Sequence, residues 1–361
     1  MNSQQITEIS ICGYKSIEQA KIRLGMLNVL IGSNGSGKTN FISLFRLLSA
    51  MVAGNLQTYV AKHGGPDAFL YWGRKRTEKM DIRFLFGNNG YDFSLEPTLD
   101  NRMMFAREDF FWNVHGSKMI ARGNFESEWQ KGTGTHIDEY IQPVLRNQRW
   151  RVYHFHDTGE TALVKQIQGI NDNMEFASDA RNLAAFLYRL QRTERETYVQ
   201  IVRTIQMAAP YFDDFILRPM PLNKDKILLE WKAKGSDIPF TAAQLSDGTL
   251  RFICLTVLLL QPEELQPDTI LIDEPELGLH PYAISLLAAL VKKASLGKQV
   301  ILSTQSVELL NEFAAKDIIV VNQQDGASMF NHLDEEELSG WLAEDYTLGE
   351  LWKRNILGGR P

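Results

Sequence analysis

The sequence predicts an α/β fold: a mostly parallel core sheet, an antiparallel β-layer and a partly helical insertion. Three observations carry this. Apolar runs of strand length at 26–31, 269–275, 299–303 and 318–321 alternate with stretches of helical periodicity, the pattern of a parallel sheet covered by helices. Two alternating stretches, 80–86 and 91–95, flank Gly87-Asn88-Asn89-Gly90, a hairpin signal. A glycine-rich octet, Gly32-Ser33-Asn34-Gly35-Ser36-Gly37-Lys38-Thr39, sits between a strand-like run and a helix-like one.

Taken in order, residues 6–11 alternate like a strand and continue through Gly13-Tyr14-Lys15-Ser16-Ile17. A second alternating piece at 20–24 leads into the strand before the octet. After the octet, residues 41–48 have apolar positions at helical spacing. The pair 80–86 and 91–95, with 102–105 beside it, reads as the antiparallel layer. Residues 136–149 suggest a short helix, 150–155 a strand, and 180–207 a helical stretch ended by Pro210. Short strands follow at 215–218, 227–232 and 238–240. A helix opens near Ser246 and runs to Leu260, and another begins with Pro281 at its first position. The expected organisation is one domain, with a core lobe from 1–78 and 241–361 and with 79–240 as β-layer plus insertion. Glu335-Glu336-Glu337 reads as a solvated helix face.

Composition sets outer bounds. The chain has 361 residues, 44% of them hydrophobic, and a net charge of −6. These values suit a globular protein and argue against a generally basic nucleic-acid coat. The longest apolar stretch, 253–260, is too short to span a bilayer. Residues 1–5 lack the basic and apolar regions of a signal peptide. Cys12 and Cys254 lie in apolar runs and read as reduced core residues. A cytoplasmic protein without a membrane partner is expected.

The octet fits G-x-x-x-x-G-K-[ST], the phosphate-binding P-loop. Glycines let the backbone curl so that successive N–H groups face phosphate oxygens, and the helix start adds partial positive charge. Lys38 can reach the β- and γ-phosphates, and the Thr39 hydroxyl can ligate Mg²⁺. The strand at 269–275 ends in Asp273-Glu274, the Walker B pattern. Asp273 would hold Mg²⁺ through water, because Mg²⁺ keeps its waters. Glu274 is the candidate general base for an attacking water. ATP and Mg²⁺ are therefore the expected cofactors. Leu245-Ser246-Asp247-Gly248 places a capping Ser at a helix start, where N–H groups can meet an anion.

Four stretches in this order resemble the prokaryotic AAA family ATPases of the ABC class, of the RecF/SMC/OLD-like group. They are Gly13 to Ile17, the P-loop, Leu245 to Arg251, and Leu271 to Pro281. The form Asp273-Glu274-Pro275-Glu276, followed by Leu279-His280-Pro281, is similar to the OLD/RecF side rather than to transporter ATPases. The resemblance implies a P-loop NTPase head of ABC-ATPase type. It implies two ATP molecules held between two copies, each met by the P-loop of one and the signature residues Ser246, Asp247 and Gly248 of the other. It assigns His280 to the D-loop at the dimer interface. A homodimer or higher homo-oligomer follows, serving a separately encoded effector, possibly a nuclease. Anti-phage defence is the implied setting, and a RecF-like DNA repair or recombination ATPase is the alternative.

One position departs from the family. Where it usually has His after the next strand, this chain has Gln305, within Ser303-Thr304-Gln305-Ser306. Gln can hydrogen-bond but carries no charge, so slow hydrolysis is expected. Roughly two hundred residues separate the P-loop from the signature, about twice the transporter spacing. No sustained heptads mark a coiled coil. The 56 residues after Gln305 are too few for a Toprim nuclease.

Other features carry less. His154, His156 and Asp157 could share a face, but no second ligand cluster accompanies them, so packing is expected rather than metal. Arg74-Lys75-Arg76 near Trp72, and Arg146, Arg149 and Arg151 near Trp150, could meet nucleic acid. No convincing Q-loop glutamine stands out among Gln142, Gln148 and Gln166. Residues 348–354 suggest a short amphipathic helix whose Trp352 docks on its own domain.

Overall fold

The computed structural model describes residues 5–112, 116–146, 149–334, 336, 338, 340–341 and 346–359. Glu335, Glu337 and Gln148 lie outside the described residues; Glu336 is exposed. The elements gather into two compact units, Met1–Arg151 with Ala314–Pro361, and Val152–Phe313.

The first unit holds an antiparallel sheet. Its strand order is Ile17–Arg23, Ile6–Tyr14, Met80–Phe86, Asn89–Pro97, Met103–Trp112, Gly116–Ala121. Phe86 pairs with Asn89, so the hairpin turn is the two residues Gly87-Asn88, tighter than the four-residue signal. The strand expected at 102–105 runs on to Trp112 despite Arg107, Glu108 and Asp109 in its middle. Those charges are matched in place. Arg107 pairs with Asp92 at 3.1 Å and Asp109 at 3.0 Å, and Glu108 accepts from the Tyr91 hydroxyl at 2.5 Å. Cys12 is exposed, contrary to the core assignment. It alternates with buried Ile9 and Ile11 along its strand and so faces outward.

Leu27–Ile31 is buried at all five positions, and this accounts for its unbroken apolar run. It pairs in parallel with Ile318–Gln324, which pairs antiparallel with Ala327–His332. The helix Lys38–Val52 follows the P-loop and is packed on both sides. Phe41 meets Phe330 at 5.6 Å between ring centroids, and Phe45 meets Phe84 at 5.9 Å. Phe84, Phe93, Tyr91 and Phe110 continue the aromatic core along the antiparallel sheet. The late helix Leu348–Lys353 buries Leu351 and Trp352, in line with docking on its own domain.

The second unit is built around Asp247–Leu260, a helix buried without interruption from Leu250 to Leu260. It packs against Arg195–Ala208 and Pro281–Ala294. The periodic stretch at 180–207 is two helices, Leu183–Thr193 and Arg195–Ala208, broken at Glu194, whose backbone leaves the helical region. Thr269–Asp273 and Gln299–Thr304 form a parallel pair in which Asp273 lies opposite Ser303. Two small antiparallel sheets complete the unit. In one, Trp231 stacks on Phe212 and Phe240 at 5.8 and 5.0 Å.

Candidate functional site

The P-loop curls because two of its glycines adopt backbone angles that side chains disfavour, Gly35 at φ 78° and Gly37 at φ 114°. A Cβ on Gly37 would collide with Ser328 and lie 3.0 Å from Ser16 Oγ. No side chain caps the helix Lys38–Val52, so the amides of its first turn stay open to an anion. Lys38 is buried and folded back, its Nζ donating to the carbonyls of Gly32 at 2.6 Å and Ser33 at 2.9 Å. Ser36 Oγ is buried and makes no hydrogen bond within the described residues. Thr39 stands exposed in the first helical turn. Open amides, a lysine resting on carbonyls it can exchange and an orphaned hydroxyl fit a triphosphate with its Mg²⁺.

Neighbouring segments hold this loop. Tyr14 and Lys15 both reach Ser43 of the helix at 2.9 Å, and Asn40 donates to Ser16 Oγ at 2.7 Å. The element Gly13 to Ile17 is therefore the brace of the P-loop helix. The Ser33 amide donates to the Gly359 carbonyl at 2.7 Å, so the last described residues also touch the loop.

In the second unit the parallel register brings the carboxylates together with polar side chains of the next strand. Asp273 Oδ1 accepts from the Ser303 hydroxyl, and Glu274 Oε1 accepts from the Gln305 side-chain amide. Glu274 holds φ 44°, an unusual angle for a residue with a side chain, at the point where the strand ends. Its own amide donates to the Ser303 carbonyl at 3.0 Å. Glu276, which the sequence offers only as part of the Asp273-Glu274-Pro275-Glu276 form, lies three residues past Asp273. Its Oε1 accepts from the Thr304 hydroxyl at 2.6 Å and the Gln305 amide at 3.1 Å. Burial raises its carboxyl above the usual range.

Ser246 caps the helix Asp247–Leu260, accepting from the Thr249 amide at 3.2 Å. Asp247 is exposed, 3.8 Å from Lys165. Gly248 packs so closely that a Cβ would collide with the Gly278 carbonyl. Ser246, Gly248, Thr249, Gly278, Leu279 and His280 share the lining of one cleft of about 120 Å³. His280 is exposed, and its Nδ1 accepts from the Tyr282 amide at 3.3 Å, capping Pro281–Ala294. The structure thus brings Ser246, Gly248 and His280 together, and separately Asp273, Glu274 and Gln305.

A family model described as "AAA domain, putative AbiEii toxin, Type IV TA system" matches residues 27–104 and 140–311, more than half of the chain. The chain belongs to this family of AAA ATPases. Among solved structures, it is similar to an Smc head bound to the C-winged helix domain of ScpA. That match has a TM-score of 0.58 and 16% identity, and covers 93% of this chain and 99% of that one. A second is a Pyrococcus furiosus Smc head with an extended coiled coil, bound to the C-terminal domain of ScpA. Its TM-score is 0.54 at 14% identity, over 94% of this chain and 99% of that one. At these identities the likeness is one of fold, a P-loop NTPase head of the ABC class. No curated protein matches the chain.

The remaining residues singled out in the sequence take the following places. Trp150 is buried, donating from Nε1 to Ser49 Oγ of the P-loop helix at 2.9 Å, and it offers no stacking face. Arg74 is held by Asp67, Asn101 and the Thr98 carbonyl, and Arg76 lies 3.6 Å from Glu18. Trp72 remains 65% exposed. His154 and Asp157 are exposed, and the described residues contain no cluster of three or more potential metal-binding His, Cys, Asp or Glu side chains. Gln142 and Gln166 donate to nearby backbone carbonyls. No helix among the described residues is long and apolar enough to cross a membrane.

Proposed function

We propose that this chain binds ATP on its P-loop and hydrolyses it slowly. The observation that carries this is the contact of Gln305 with Glu274 at the end of the paired strands. A carboxylate fixed by an amide donor, beside an Asp suited to a hydrated Mg²⁺, is equipped to orient and deprotonate a water. Gly32 to Thr39 bind the phosphates through backbone amides and Lys38, and Thr39 and Asp273 hold the metal, Asp273 through water. Mg²⁺, when bound, neutralises phosphate charge. Gln305 supplies a neutral donor where the resembling family carries His, so it orients without adding positive charge. Gln305→His is therefore expected to raise turnover; a fall or no change would count against slow hydrolysis through this residue.

Two such heads close around ATP, with Ser246, Asp247, Gly248 and His280 of one copy completing the site of the other. The cleft shared by Ser246, Gly248 and His280 supports that reading. The head then acts as sensor or scaffold for a separate effector protein in anti-phage defence; the family description names a toxin–antitoxin system instead. Two solved Smc heads of similar fold each carry a bound ScpA domain, which supports a docked partner protein here. The test is ATP binding and phosphate release by the whole chain. Lys38→Ala should abolish binding. Glu274→Gln should keep binding and lower phosphate release by roughly 100-fold or more, the usual scale for a lost general base. Phosphate release unaffected by Glu274→Gln would refute the assignment.

A further inference from the structure

Glu276 has no role in the phosphate-binding or metal-binding set, yet it is the best-connected carboxylate of the Walker B turn. Its Oε1 takes two donors from consecutive residues, the Thr304 hydroxyl at 2.6 Å and the Gln305 backbone amide at 3.1 Å. Its Oε2 is buried and lacks a hydrogen-bond partner among the described residues. Thr304 is fully buried, and its Oγ1 accepts in turn from the Ser306 amide at 2.9 Å. Carboxylate, hydroxyl and two backbone amides therefore lock the chain just where it leaves the strand Gln299–Thr304. The next side chain along, Gln305, is the one whose amide reaches Glu274.

We infer that Glu276 is a positioning residue for hydrolysis: it fixes the Thr304–Gln305 turn, and through that turn it places the Gln305 amide on Glu274. The inference rests on the ATPase reading above. Burying a carboxyl is unfavourable unless its oxygens are satisfied. An apolar side chain here would leave both donors without this acceptor, so the carboxyl matters through its acceptor oxygen. What it accepts are the two donors that set the direction of Gln305. Neutral Gln keeps one acceptor oxygen with nearly the same shape, so it should preserve the turn.

The test uses the full chain, measuring phosphate release under saturating ATP and, separately, ATP affinity. Glu276→Ala should lower kcat about tenfold or more, within the span of a misoriented general base, while ATP affinity stays within about twofold. Glu276→Gln should restore most of kcat. Thr304→Val, which keeps the shape but removes the hydroxyl donor, should lower kcat without altering affinity. Glu276→Ala added to Gln305→Ala should cost no more than Gln305→Ala alone, because both act through one contact. Unchanged kcat in Glu276→Ala and Thr304→Val would overturn the role, as would full additivity with Gln305→Ala. A Glu276→Gln variant as impaired as Glu276→Ala would overturn the acceptor argument. If Glu276→Ala fails to fold, Thr304→Val and Glu276→Gln decide. No phosphate release from the unaltered chain would defeat the ATPase reading itself and this role with it.

Discussion

Gly37 shows how little freedom single residues of the P-loop have. Its φ of 114° strains any side chain, and a Cβ would meet Ser328. Gly37→Ala is expected to cost about 1–3 kcal/mol of stability and to weaken ATP binding, because the relieved loop turns its amides away; calorimetric titration with ATP checks this. The two cysteines separate in the same physical way. Cys254 is fully buried, and burial pushes its thiol up to about 12. Near pH 8 almost none of it is thiolate, the reactive form. Cys12 is exposed on its strand, although partial burial and the nearby Asp81 also raise its thiol. A thiol reagent should therefore modify one cysteine slowly in the folded chain and the second only on unfolding. Cys12→Ser should leave the folded protein unreactive. The sequence placed both thiols in the core because apolar neighbours were counted without the two-residue alternation that turns Cys12 outward.

Elements in this fold are held by side chains distant in sequence. Helix Leu56–Lys62 has no cap from its own start; Glu126 supplies one, its Oε2 accepting from the Leu56 amide at 2.7 Å and its Oε1 from Gln57 at 3.0 Å. Glu126→Ala should lower stability by about 1 kcal/mol, the usual cost of a lost N-cap, seen as a lower urea midpoint with an unchanged slope. Such contacts explain what could be read from sequence and what could not. The buried strand before the P-loop, the Gly87-Asn88 hairpin, and the helix opening at Pro281 were legible because local pattern and tertiary role agree. The strand Met103–Trp112 was read short because three successive charges interrupt its alternation, and their partners Asp92 and Tyr91 lie on the neighbouring strand. Gly116–Ala121 was missed because it is mostly exposed and lacks a buried face to set the pattern. Asp273, Glu274 and Gln305 stood out by motif, but Glu276 and Ser303 did not. Their function depends on a parallel register of 30 residues' separation, visible only once Asp273 lies opposite Ser303.

At the scale of the whole molecule, the charge and the surface bear on what the chain meets. The net charge is −6, and in the 74–76 cluster Arg74 is tied to acidic and amide partners and Arg76 pairs with Glu18, while Lys75 stays exposed. The signature side is different. Ser246, Gly248 and His280 line one cleft, where Ser246 and His280 cap their own helices. If that cleft receives the nucleotide of a second copy, assembly must depend on ATP and must fail when the cleft is blocked. Glu274→Gln with ATP and Mg²⁺ should then show twice the chain mass by light scattering, and the chain mass alone without nucleotide. Ser246→Arg fills the cleft at the loss of one N-cap, about 1 kcal/mol. It should therefore stay folded, bind ATP on its own P-loop and remain at the single-chain mass. A dimer that forms equally without ATP, or one that survives Ser246→Arg, would place the contact between copies elsewhere and detach the signature residues from the nucleotide.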